Sequence, residues 1–337
     1  MRILVASDHR YPAETGQGNG LRTHPQPSGA PSRVHDWLVK GLAELGHDVF
    51  YLLEKGAEAP LPPGVTLVTE PIQEVDIFHN TVSSLKPWVH TQHRFADDLS
   101  GAPPANWIFV SSSLARSHGS DRFVLNGIDP HNYLYSAHKE DYFLFLAAMQ
   151  GRRLHHMYFN KGLDIALSLS QTAGVPLVVA GTTINTATFE HVQHMCRTHG
   201  ATYVGDVRGS RKAELLAGAR ALIFPTRLNE GCPLVIAEAL MSGTPVISSD
   251  KGPCPELISA EVGFVCANQH EYLHAIHHVD TIAPQACRDK ALRDHHYLKM
   301  AADYVQEYER EIGSHHHAPP IYSTGYASDN RITSINR

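Results

Sequence analysis

The sequence predicts an α/β protein made of two facing, Rossmann-like, doubly wound parallel-sheet domains with a cleft between them. Short apolar runs alternate with amphipathic stretches, and the alternation occurs twice along the chain. The chain has 337 residues, enough for two or three domains, and 42% of them are hydrophobic, enough to fill a core in each. A polar stretch around residue 138 separates the two series.

Arg2 to Ser7 is the first buried strand, an apolar run too short for a signal peptide. Residues 9–32 are rich in Gly, Pro and Ser and form a long loop. A helix follows from about Ser32 to Leu45, with Val34, Leu38, Leu42 and Leu45 on one stripe. Gly46 ends it, and Asp48 to Leu53 is the second strand. Asp76–His79 and Trp88–His93 are two further strand ends. Parallel strands turn their carboxyl ends toward the ligand crevice, which makes His79 and His93 candidates for it. Ile108–Ser112 is a strand and turn, and the Asn126-Gly127 turn marks the end of the first domain.

Asp141 to Met149 opens the second domain, and Lys161-Gly162 starts a helix. An ammonium there suits a diphosphate. Leu177–Thr182 is a strand with a turn at Gly181, and Tyr203–Val207 is the next strand. Lys212–Ala219 is a helix with Leu215 and Leu216 inward. The apolar strand Ala221–Phe224 ends at Pro225, and a short loop carries Glu230. A helix then begins near Pro233, where the missing N–H costs least. The start of that helix leaves N–H groups with partial positive charge, around Leu234 and Val235, which hold an anion such as a phosphate. Pro253–Ile258 and Val262–Val265 are expected to complete the second sheet. Tyr297–Ile312 is a long amphipathic helix, and the division is 1–138, 139–296, 297–313 and a tail over 314–337.

Net charge is −6 with no dense Lys/Arg cluster, so neither nucleic acid nor an anionic membrane is an implied partner. No apolar run approaches the length of a membrane span. The five cysteines all lie in the second half and form no CxxC pair, which reads as reduced thiols in a cytoplasmic protein, with neither a disulfide framework nor a zinc site.

The run from Glu230 to Ile247 resembles the retaining glycosyltransferases of the GT-B fold, family 4 (group 1), whose signature is two glutamates with seven residues between them. Glu230 and Glu238 have that spacing, and Ala239-Leu240-Met241-Ser242-Gly243-Thr244-Pro245-Val246-Ile247 fits the flanking pattern. Phe123–Asp129 and Gly46–Val49 resemble other family segments. The resemblance implies a metal-independent, cofactor-free transfer of a sugar from a nucleoside diphosphate, UDP by default, to an acceptor hydroxyl of unknown identity. It implies that Lys161, with Arg152 or Arg153, and the helix N–H groups neutralise the departing diphosphate. Glu230, with the backbone of Gly231 and Cys232, would orient the sugar, Pro233 would adjoin the donor, and His93 would touch the sugar from the opposite domain. Glu238 would hold the ribose. Gly29 falls where the family has a glycine pair beside the phosphates, Gly181 in its GxG region and Val207 in the loop near the nucleobase. The 297–313 helix would cross back onto the first domain.

Two other classes remain from the sequence. His270-Glu271-Tyr272-Leu273-His274 matches HExxH, the metal-binding pattern of zinc hydrolases. A third ligand is missing from the expected places, and with 24 histidines in the chain a chance match is unremarkable in kind. A non-catalytic sugar-nucleotide-binding protein would share the fold and lack turnover.

Overall fold

The computed structural model describes residues 1–13, 30–83, 85–94, 102–149, 157–183 and 185–317. The first sheet contains β1 (Arg2–Ser7), β2 (Asp48–Leu53), β3 (Val65–Val68), β4 (Ile77–His79), β5 (Trp88–Gln92) and β6 (Trp107–Phe109). The second contains β7 (Phe143–Leu146), β8 (Leu177–Ala180), β9 (Thr202–Gly205), β10 (Ala221–Phe224), β11 (Val246–Ser249) and β12 (Gly263–Cys266). All neighbours pair in parallel. The orders are β3-β2-β1-β4-β5-β6 and β12-β11-β10-β7-β8-β9. Counted from its own first strand, each sheet is therefore doubly wound in the order 3-2-1-4-5-6. The order reverses between β1 and β4 in one sheet and between β7 and β10 in the other, which is where such sheets open a crevice.

The helices are α1 (Ala30–Glu44), α2 (Ser112–Ser117), α3 (Met157–Asn160), α4 (Leu163–Ala173), α5 (Thr186–Thr198), α6 (Gly209–Gly218), α7 (Leu234–Met241), α8 (Cys254–Leu257), α9 (Gln269–His278), α10 (Pro284–Asp294) and α11 (Tyr297–His317). Helices on both faces leave the central strands buried, and β10 and β11 are buried at every residue. One apolar cluster runs from Ile3 and Val5 through Phe109 to Phe224 and Leu234, so both halves share a core. The last helix, α11, lies on the first domain: an added Cβ on Gly41 of α1 would come 2.8 Å from the Ala301 Cβ. Tyr308 Oη and Tyr304 Oη sit 2.6 Å from His79 Nδ1 and 2.7 Å from Thr91 Oγ1.

Several elements differ from expectation. Pro253–Ile258 is no strand but holds the short helix α8. Two prolines in six residues remove the N–H groups a central ladder needs, while Pro253 suits a helix start. The strand expected over 141–149 is limited to β7, and α11 continues past Ile312. The sequence reading did not identify β3, α5 or α10; β3 is only four residues long, none of them buried, so it lacks the long buried run of its neighbours.

Candidate functional site

The second-domain wall is built around the loop after β10. Asn160 O accepts from Arg227 N (2.8 Å), and the Arg227 guanidinium binds Asp164 at 2.7 Å through both Nη atoms. Gly162 has φ +82, and an added Cβ would lie 2.0 Å from Pro225 O, so only glycine allows this approach. The α3–α4 turn is thereby pressed on the Glu230 loop, and Lys161 Nζ donates to Glu230 Oε1. Both side chains are mostly shielded from solvent. Thr226 Oγ1 is 3.3 Å from the same carboxylate oxygen.

Pro233 is the N-cap of α7, so the helix begins one residue later than expected, at Leu234. No side chain caps it, which leaves the N-terminal amides around Leu234 and Val235 without the usual side-chain acceptor. Glu238 lies one turn further along and is 3% exposed. Its Oε1 accepts from Arg33 Nη1 (2.8 Å), Tyr133 Oη (3.0 Å) and Lys212 Nζ (3.3 Å). Burial opposes ionisation of this carboxyl, but the Lys212 and Arg33 charges and the Arg33 and Tyr133 hydrogen bonds outweigh it and hold the pKa at about 2. Beside this cluster a cavity of about 460 Å³ is lined by Trp37, Tyr133, Leu134, Gly209, Ser210 and Lys212 among others. Val207 is buried in the link from β9 to α6. Gly181, at the end of β8, donates its N–H to Gly205 O at 2.8 Å.

The first-domain wall meets this loop directly. An added Cβ on Gly231 would fall 2.1 Å from His93 O. Ser111 Oγ donates to Gly231 O (2.6 Å) and Asn126 Nδ2 to Cys232 O (3.3 Å). The amides of Ser112 and Ser113 both donate to the Glu256 carboxylate at 2.9 Å. Burial pushes the Cys232 thiol up to about 12, so it stays protonated. His93 is half-buried; its Nε2 is enclosed and has no hydrogen-bond partner among the described residues, and its ring is 5.4 Å from that of His35. Burial drives the pKa of His93 well below the usual histidine value, and the neighbouring histidines add to the effect.

Behind His93 runs a chain of hydrogen bonds. Asn80 Oδ1 accepts from Thr91 N (2.9 Å), so its Nδ2 faces His35 Nε2 at 2.9 Å. Neutral His35 then carries its proton on Nδ1, 2.9 Å from Ser7 Oγ. Ser7 Oγ is 2.8 Å from His9 Nδ1, and His9 Nε2 is 2.8 Å from Asp36 Oδ1. Burial, with His9 and His90 nearby, lowers the His35 pKa to about 3.

The fold therefore brings Lys161, Glu230, Gly231, Cys232 and His93 to one gap, with Glu238 a turn behind the α7 start. Gly29, Arg152 and Arg153 lie outside the described residues. Sequence reasoning missed Arg33, Lys212 and Tyr133 as the partners of Glu238. The signal available was weak: Arg33 stands in the first turn of a helix entering from the glycine-rich loop, while Tyr133 follows an unremarkable turn. HExxH has an ordinary explanation. Glu271 Oε2 accepts from Ala267 N and Oε1 from Asn268 Nδ2, both at 2.7 Å, while Asn268 Oδ1 accepts from Glu271 N at 3.1 Å. This is a variant of the capping box at the start of α9, with the carboxylate reaching the amide one residue before the N-cap. Among the described residues, no group of three or more His, Cys, Asp or Glu is placed to hold a metal ion. Also among the described residues, no helix is long and apolar enough to cross a membrane.

Two doubly wound domains with their strand ends turned to a common gap make this a GT-B protein. The family comparison then points within that fold: residues 140–279, most of the second domain, match the family described as glycosyl transferases group 1. No curated protein sequence matches significantly. Among solved structures the chain is similar to AviGT4, a glycosyltransferase involved in avilamycin A biosynthesis, with TM-score 0.71 and 23% identity over 93% of this chain and 98% of that one. It is similar to sucrose-phosphate synthase from Thermosynechococcus elongatus, with TM-score 0.67 and 16% identity over 93% and 99%. It is also similar to Anabaena HepE in complex with UDP, with TM-score 0.65 and 13% identity over 92% and 100%.

Proposed function

We propose that the protein is a retaining, family 4 glycosyltransferase that moves a sugar from a nucleoside diphosphate to an acceptor hydroxyl without a metal ion, in the cytoplasm. The observation that carries this reading is the meeting of the Lys161 ammonium, the Glu230 loop and the side-chain-uncapped start of α7 on one side of the gap. Charge grows on the departing diphosphate as the glycosidic bond breaks. A fixed ammonium and helix amides aimed at that charge stabilise it with little reorganisation. Glu230 holds Lys161 in place and offers its carboxylate to the sugar hydroxyls, while His93 faces the sugar from the other wall as a neutral imidazole. Ribose hydroxyls take the Glu238 carboxylate, and the base fits the adjoining 460 Å³ cavity beside Trp37 and Tyr133. Uracil is the favoured base because HepE is similar in fold and its structures hold UDP and UDP-glucose.

A thermal-shift screen of UDP, GDP, ADP and dTDP, followed by release assays with their sugars, tests the reading. A bound diphosphate raises the melting temperature by mass action. We expect stabilisation by one diphosphate, its release from a matching sugar donor in EDTA, and a product of unchanged anomeric configuration. Stabilisation by none of the four would overturn the reading, and release abolished by EDTA would remove its metal independence.

A further inference from the structure

We infer that Arg33 binds the donor diphosphate, and that its pairing with Glu238 is a resting position that nucleotide binding exchanges. This rests on the function proposed above. Arg33 is the fourth residue of α1, and its guanidinium reaches across the gap to Glu238 of α7. It does not hold the carboxylate alone: Arg33, Tyr133 and Lys212 all converge on Oε1. Of the two cations, Lys212 is the more enclosed, with 11% of its side chain exposed against 18% for Arg33. Lys212 and Tyr133 reach Glu238 from the second-domain side and the linking turn, so they can keep the carboxylate ionised when Arg33 departs.

The helix supplies the target. Leu234, the first residue of α7, and Glu238 are four residues apart and share a helix face. An anion at the α7 start therefore lies about one turn, roughly 5 Å, from the carboxylate that Arg33 now grips. A nucleoside diphosphate presents neutral ribose hydroxyls and a phosphate at about that separation. The hydroxyls are donors for Glu238, and the phosphate is an anionic acceptor that a guanidinium can bind through two parallel N–H groups. A swing of one helical turn lies within the reach of an arginine side chain. The Arg33 guanidinium also stacks over Trp37, 5.7 Å from the ring centroid, and Trp37 lines the adjoining cavity, so a ligand filling that cavity touches the platform on which Arg33 rests.

Calorimetric titration of UDP against uridine, with GDP/guanosine and ADP/adenosine in parallel, tests the exchange in wild type, Arg33→Gln and Arg33→Lys. In Arg33→Gln we expect diphosphate affinity to fall about tenfold or more, with nucleoside affinity unchanged or higher. Arg33→Lys should recover part of the loss, because it keeps the charge without the fork. Equal weakening of diphosphate and nucleoside would reduce Arg33 to a structural strut. Tightening of both would make it only an obstacle on Glu238. Should Arg33→Gln fail to fold, Glu238→Gln breaks the same pair from the other side. It should weaken nucleoside and diphosphate together, and loss of diphosphate binding alone would overturn the exchange. Wild type binding no diphosphate would sink the proposed function, whereas wild type binding with an unchanged diphosphate-to-nucleoside ratio in Arg33→Gln sinks the exchange alone.

Discussion

Six parallel strands in one order end at each wall of the gap, yet the side chains at those ends differ in kind. On the first wall stand Ser7, His35, His79, Asn80, Thr91 and His93, all uncharged at neutral pH or held so by burial. On the second wall charges come in pairs, Lys161 with Glu230, Lys212 with Glu238 and Arg208 with Asp206. A doubly wound sheet dictates where a ligand lies but not what touches it. Fixed charge is concentrated on the wall that would meet the pyrophosphate, and the neutral wall would meet the sugar. Two charged groups of the first domain break the pattern: Asp36 lies behind His9, and Arg33 spends its charge across the gap.

The comparison breaks if the neutral wall proves the more important one. Lys161→Ala removes the ammonium and leaves Glu230 without its partner. We expect kcat to fall by about 10²–10³-fold, the range for losing one preorganised donor, with the melting temperature nearly unchanged. Glu238→Ala should lower transfer at least as far. His93→Ala should cost less than Lys161→Ala in parallel rate measurements, and the reverse order would show that the neutral wall carries the chemistry.

Contact between the walls gives the next largest effect. Gly231→Ala would force a Cβ onto His93 O, where only 2.1 Å is available. The loop must shift, and a displacement of about 1 Å between reacting groups costs on the order of 10²-fold in rate. We expect turnover to suffer far more than either domain's stability. Turnover within twofold of wild type would mean that the gap opens at this point during reaction.

Acid separates the walls by a different measure. His35 has its folded pKa lowered to about 3, below its unfolded value near 6.5. Its neutral form therefore supports folding above pH 6.5, and that support is lost as pH falls from 6.5 toward 3. At pH 5 the loss from His35 is about 2 kcal/mol, and His79 and His93, whose pKa values are lowered too, act in the same direction. Glu238, at about 2, loses its contribution only below pH 4.3 or so. Denaturant titrations with hydrogen exchange at pH 7 and 5 should show the first sheet losing protection while the second keeps it. Loss beginning in the second sheet would erase the distinction.

Much of the second domain was legible because its strands are buried on both faces and read as unbroken apolar runs. The Glu230–Glu238 spacing and Lys161-Gly162 lie on such runs or their ends, so local text located them. The first domain was harder to read. β3 is short and half exposed, and His93 faces Gly231, far away in the chain. The partners of Glu238 come from α1, the turn after Asp129 and α6, so their convergence is a tertiary fact. Pro253–Ile258 misled because an apolar content was weighed above two prolines.

The smallest effect expected lies far from the gap, at α9. Glu271 ties back to Ala267 N and Asn268, so its carboxylate is used in the cap. Glu271→Ala should cost about 0.5–1 kcal/mol in denaturant unfolding, the range for an exposed capping interaction. His270 is exposed, and His274 stacks on His278, with ring centroids 4.0 Å apart, on the exposed side of the helix. Transfer rates should be the same in Glu271→Ala as in wild type, with or without chelator. A fall in rate matching the loss of stoichiometric zinc would instead turn α9 into a metal helix and leave the charged wall without its assigned task.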